Sequence, residues 1–124
     1  MNRRKFLKRL AGGVCAVGGI WSLSEPLFLT VERREILLKK LPSVFQGFKI
    51  ALLTDTHCGP FTTPSFIQKA VDLANAEKPD VVLLLGDFCH RDKKNIAPGI
   101  EPFSNLKAPA GVLAVLGNHD HWES

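Results

Sequence analysis

Three short apolar runs mark the chain beyond residue 45: 48–54 (FKIALLT), 80–86 (DVVLLLG) and 112–116 (VLAVL). Each is too short for a buried helix and lacks the polar alternation of a half-exposed strand. Each therefore reads as a strand covered on both faces. Between the first two, Phe66, Ile67, Ala70, Val71 and Ala74 recur at helical spacing, with Gln68, Lys69, Asp72 and Asn75 between them. Thr63 before Pro64 is the pattern of an N-cap followed by proline at the first helical position. Pro79 closes that segment. A short helix is expected within 100–107, in a stretch broken by Pro98, Gly99, Pro102 and Pro109. The rhythm is βαβαβ, which predicts an α/β fold with a mostly parallel sheet.

Upstream the pattern is weaker. In 27–40 (LFLTVERREILLKK), Leu27, Leu29 and Val31 alternate and Ile36-Leu37-Leu38 follows. This predicts two short strands or a hairpin turning at Glu32–Glu35 and ending at Pro42. The N-terminus, MNRRKFLKRL followed by AGGVCAVGGIWSL, has a cationic start and a Gly-rich apolar stretch, the layout of an export signal. Arg3-Arg4 before Lys5-Phe6-Leu7-Lys8 resembles the twin-arginine motif, with Asn2 where Ser or Thr is more usual. The expected organisation is a signal or membrane anchor over 1–24, strands or a linker over 25–44, and the catalytic-type domain from 45 to 124. The expected location is across, or anchored to, the cytoplasmic membrane on its outer side. The translocation machinery would be a partner, and the N-terminal segment would contact the membrane.

Charge sharpens this division. The formal net charge is +4, yet Arg3, Arg4, Lys5, Lys8 and Arg9 alone supply five positive charges with no acid before Glu25. The remaining 100 residues carry 11 basic and 12 acidic side chains. A domain with no excess positive charge is not expected to bind nucleic acid.

The chemistry sits where the apolar runs stop. Asp55-Thr56-His57 follows the first run, Gly86-Asp87 the second, and Gly117-Asn118-His119-Asp120 the third. Asp87 lies 32 positions after Asp55, and Asn118 lies 31 after Asp87. Ligands of open α/β sheets bind at the carboxyl ends of the strands, so the three clusters should meet. Alternation along an extended strand end would put Asp55 and His57 on one side, with Thr56 pointing away. A carboxylate with an imidazole can ligate one metal, a second carboxylate can bridge two, and the Asn118 amide oxygen is a neutral ligand. Cys58 and Cys89 fall at the same edge. Two free thiols lining the rim are expected there, with a disulfide as the less favoured arrangement.

The three clusters in this order, within LLTDTH, KPDVVLLLGD and APAGVLAVLGNHD, resemble the first motifs of the calcineurin-like metallophosphoesterases. The resemblance covers roughly residues 45–122, about the first half of that domain, an α/β/β/α sandwich. It implies hydrolysis of a phosphodiester or phosphomonoester at a dinuclear centre, with a metal-bound hydroxide as nucleophile. Asp55 and His57 would bind one ion, Asp87 would bridge, and Asn118 would bind the second. His119 would act on the leaving oxygen with Asp120 as its partner. Mixed oxygen and nitrogen ligation suits Mn, Fe, Zn or Co. With the leader, the chain is most similar to exported bacterial phosphodiesterases. Anchored relatives that cleave lipid-linked pyrophosphates such as UDP-diacylglucosamine suggest a narrower substrate class.

The family's downstream lone His and Gly-His-x-His are not among these 124 residues. His90 and His121 follow the wrong motifs to replace them. His90 is expected at the mouth of the site, solvated or supporting a ligand, and His121-Trp122 is expected to pack or cap. The expectation is a truncated or interrupted frame with one sheet face uncovered. A non-catalytic, metal-binding remnant is the alternative. A purely structural role for Asp55, Asp87 and Asn118 as strand-end caps leaves their joint spacing unexplained.

Overall fold

The structure, a computed structural model, describes residues 28–90 and 92–123. The expected signal over 1–24 lies outside the described residues. The chain divides into two units, Met1–Thr30 and Val31–Ser124, and every described helix and strand lies in the second.

The three strands and the first helix follow the hydrophobic pattern closely; the short helix expected within 100–107 instead begins at Ile96 and runs through Pro98 and Gly99. Strand β1 is Ile50–Leu53, helix α1 Pro64–Ala76, strand β2 Val81–Leu84, helix α2 Ile96–Ile100, strand β3 Val112–Ala114 and helix α3 Asn118–Glu123. A 3-10 turn, Glu101–Asn105, continues α2. The Thr63 hydroxyl accepts from the Phe66 N–H at 3.3 Å, and Pro64 opens α1, as the sequence predicts. The strands form one parallel sheet in the order β1-β2-β3, so both α-containing connections join neighbouring strands.

Register decides which face is core. Ala51 aligns with Val82, Leu53 with Leu84, and Val82 with Val112. On this face Ile67 and Val71 of α1 and Phe103 of the 3-10 turn pack against Val82 and Leu84, joined by Cys58 and Phe88. The opposite face carries Ile50, Leu52 and Leu113, which are 57%, 62% and 62% exposed. Parallel sheets are ordinarily covered on both sides; within the described residues this one is covered on one side, as expected from the sequence.

The expected hairpin over 27–40 does not form. Residues 28–38 contain no strand, and Phe28, Ile36, Leu37 and Leu38 are exposed. The physical reason is twofold. Glu32–Glu35 offers none of the residues that favour a tight turn, and the alternating side chains meet no apolar surface to bury them. The segment is held instead by the Arg33 guanidinium, which pairs with the carboxylate of Glu77 at the end of α1.

The two sheet faces should respond differently to mutation. Ile67→Ala, on the covered side, should cost about 3 kcal/mol, as for other buried Ile truncations. Leu52→Ala, on the open side, should cost less than about 1 kcal/mol. Urea unfolding of the two variants reads the difference.

Candidate metal centre

Backbone pairing of β1 with β2 runs past the strands into the site. The N–H groups of Asp55, His57 and Cys58 donate to the carbonyls of Gly86, Asp87 and Phe88 at 3.1, 2.9 and 2.8 Å. The first two polar clusters are thus hydrogen-bonded to each other as the strands are. The local conformation is not the extended one expected. Asp55, His57 and Asp87 have φ of 54°, 42° and 56°, in the left-handed region. Only glycine enters that region freely; Asp and His tolerate it better than most residues, at a cost of roughly 1–3 kcal/mol each. Alternation therefore does not bring Asp55 and His57 together; two left-handed residues flanking Thr56 do. Thr56 turns aside, its hydroxyl donating to the Phe88 carbonyl at 3.4 Å.

Two glycines allow the third cluster to close in. A Cβ on Gly86 would lie 2.2 Å from the Gly117 nitrogen, and one on Gly117 would lie 2.0 Å from Asp87 Oδ1. No side chain fits at either place, so Gly86 and Gly117 are what let the ends of β2 and β3 touch.

The result is convergence. His57 Nε2 lies 3.6 Å from Asp55 Oδ1 and 3.7 Å from Asp87 Oδ2. One ligand atom from each of these three residues lies within 4.8 Å of the others. Asp87 is buried, and its Oδ1 accepts from the His119 N–H at 3.0 Å. His57 Nδ1 is buried with no hydrogen-bond partner. No Lys or Arg pairs with Asp55 or Asp87 among the described residues. Two carboxylates and an imidazole gathered without a counter-cation fit a divalent ion. Asn118 begins α3 and is exposed. The His119 ring stands 4.7 Å from that of His57, and Trp122 covers its other side at 5.0 Å. An open cleft of about 240 Å³, lined by His57, Pro60, Phe61, Thr62, His90 and His119, leads to these rings.

Asp120 does something other than orient His119. Its Oδ2 accepts from the N–H groups of Asp87 and Gly117 at 2.7 and 2.9 Å, and its Oδ1 from that of Phe88 at 2.8 Å. Burial pushes its pKa up, but the N–H groups of Gly117, Phe88, Asp87 and Cys89 outweigh it and hold the carboxyl below its usual range. Asp120 thus positions the backbone on which the ligands stand. Its spacing from Gly117 is readable in sequence, but its reach to 87–89 is not.

No disulfide joins Cys58 to Cys89, as expected, but both are buried, at 2% and 1% exposure, rather than lining the rim. Burial raises the Cys58 pKa. Trp122 packs on the His119 ring, in keeping with its expected role. His90 stands in the cleft wall, at the mouth of the site as expected, and its ring faces the other two imidazoles.

The calcineurin-like phosphoesterase profile matches residues 48–124, and the chain belongs to this family of hydrolases, which act on phosphoester bonds. It is 32% identical over 120 residues to a zebrafish (Danio rerio) transmembrane protein with metallophosphoesterase domain, covering 97% of this chain and 27% of that protein. It is also 32% identical over 130 residues to the uncharacterized metallophosphoesterase YkuE of Bacillus subtilis, covering 98% and 46%. An Aquifex aeolicus metallophosphoesterase is 33% identical over 104 residues, covering 84% and 40%. The chain thus spans less than half the length of these relatives. No solved structure matches it. Among the described residues, no helix is long and apolar enough to cross a membrane.

Replacing Asp120 by Asn should destabilise the chain by about 2–3 kcal/mol. It would put an amide NH₂ where one oxygen now receives backbone N–H groups, leaving buried donors unpaired. Thermal or urea unfolding measures this, and the adjacent Asn118→Ala should change stability far less.

Proposed function

We propose that this chain carries the N-terminal part of the site of a phosphoester hydrolase working with two divalent ions. The observation that carries the reading is the convergence of Asp55, His57 and Asp87 at the carboxyl edge of the sheet, within 4.8 Å of one another. Asp55 and His57 would hold one ion, Asp87 would be shared between the two, and Asn118 would hold the second. Bound divalent ions supply the positive charge that acidifies water and stabilises phosphoryl oxygens. The rest is work for side chains. Asp87, buried and accepting from the His119 N–H, is held in one orientation toward the cleft. His119, at the open cleft, offers its ring to the leaving oxygen and gives it a proton. The left-handed backbone at 55, 57 and 87 orders the ligands before any ion arrives, which lowers the entropy cost of binding.

The substrate is a phosphodiester or phosphomonoester. A lipid-linked pyrophosphate is the narrower class favoured if the N-terminal segment anchors the protein at a membrane. Arg3-Arg4 supports export by the twin-arginine route. Replacing both by Lys should then leave a reporter fused to residues 1–30 in the cytoplasm, by cell fractionation. Unaltered export would count against that route.

The activity is tested with bis-p-nitrophenyl phosphate and Mn²⁺ on residues 1–124 and on any longer form. Turnover should vanish with chelator and with Asp87→Asn. His119→Ala should slow it by about 10²–10⁴-fold while keeping the metal, as expected for a lost proton donor. Metal content measured alongside separates a non-catalytic metal-binding chain from one that binds no ion.

A further inference from the structure

A second set of ligands lies beside the first and contains no carboxylate. His57, His90 and His119 each present a ring nitrogen, and the three nitrogens lie within 4.8 Å of one another. The ring centroids are 4.7 Å apart for His57–His119, 5.8 Å for His57–His90 and 5.7 Å for His90–His119. All three rings are partly exposed and line the same cleft.

Their backbones share one hydrogen-bonded frame. The His57 N–H donates to Asp87 O, and the His90 N–H donates to Cys58 O at 3.1 Å. The His90 carbonyl accepts from the Asn95 side chain at 3.2 Å. The His119 N–H is held by Asp87 Oδ1. The loop at Gly59 lies against His90, where a Cβ would stand at van der Waals distance, 3.4 Å, from His90 Cβ. Tetrahedral ligation with metal–nitrogen distances near 2.1 Å puts the nitrogens about 3.4 Å apart. The nitrogens, within 4.8 Å of one another, lie little more than an ångström outside that spacing.

We propose that His57, His90 and His119 form an all-nitrogen metal site, distinct from the Asp55–His57–Asp87 set and selective for late first-row ions such as Co²⁺, Ni²⁺ or Zn²⁺. Three imidazoles prefer those ions, whereas the two carboxylates with one imidazole suit Mn²⁺ as well. His57 Nδ1 is buried, so Nε2 is the nitrogen it offers to either set. The two sets therefore compete for His57. A further consequence rests on the proposed function: while a His119 ring nitrogen is bound to an ion, it cannot deliver a proton from that position.

The test is metal binding to chelator-treated 1–124, with folding of each variant checked by circular dichroism. Co²⁺ is followed by its visible absorption and Mn²⁺ by its electron paramagnetic resonance signal. His90→Ala should weaken Co²⁺ binding by about tenfold or more and leave Mn²⁺ binding unchanged. Asp55→Asn should weaken Mn²⁺ and spare Co²⁺. His90→Gln, closer in size and polarity, should repeat the His90→Ala result if the alanine variant loses structure. Unchanged Co²⁺ affinity in the folded His90 variant would overturn the proposal. So would equal loss of Co²⁺ in Asp55→Asn, or binding of inorganic phosphate to the metal-free protein that depends on His90. Failure of Mn²⁺ to bind the unmutated chain, with the Co²⁺ results as expected, would count against the proposed function and leave this site standing.

Discussion

The carboxylate of Asp120 is the tie on which the site depends. Its two oxygens gather N–H groups from Asp87, Phe88 and Gly117. These come from the segments that leave β2 and β3, and they would otherwise be buried donors without partners. A charged acceptor is stronger than a neutral one for such donors, and leaving them unpaired costs more than the bonds return. The same grip fixes Asp87 in its left-handed conformation and places the His119 N–H on Asp87 Oδ1. One buried acid thereby sets the position of Asp87 and of the imidazole next to it.

Around that tie the sheet works as a spacer. Parallel pairing with even register brings each strand to an end at the same edge, and the pairing continues through Asp55, His57 and Cys58. The helices contribute from one side only. Ile67 and Val71 bury the face beneath α1, while Ile50, Leu52 and Leu113 stay open to solvent. The covered face supplies the packing that holds the edge. The open face is an apolar surface of the kind that folded proteins ordinarily bury against another layer.

The cleft joins two kinds of ligand around one ring. His57 faces carboxylates through Nε2 and stands edge-on to two other imidazoles. Oxygen-rich and nitrogen-rich donor sets attract different ions. His57 is the one imidazole common to both candidate donor sets.

Much of this was legible in the chain. The three apolar runs, the Thr63-Pro64 start and the near-equal spacing of Asp55, Asp87 and Asn118 foretold the βαβαβ order and the edge where polar residues meet. Hydrophobic period and capping are local, so sequence carries them. The hairpin expected over 27–40 failed because alternation records only a tendency, and no apolar surface was there to receive it. The left-handed backbone at Asp55 and His57, the reach of Asp120 to 87–89, the burial of Cys58 and Cys89, and the approach of His90 to two other imidazoles were decided by tertiary structure. Each depends on how closely two strand ends approach across the Gly86–Gly117 contact, a distance set by packing between residues some 30 positions apart. The sequence by itself determined which ligands exist and in what order they arrive; the fold decided which atoms they face.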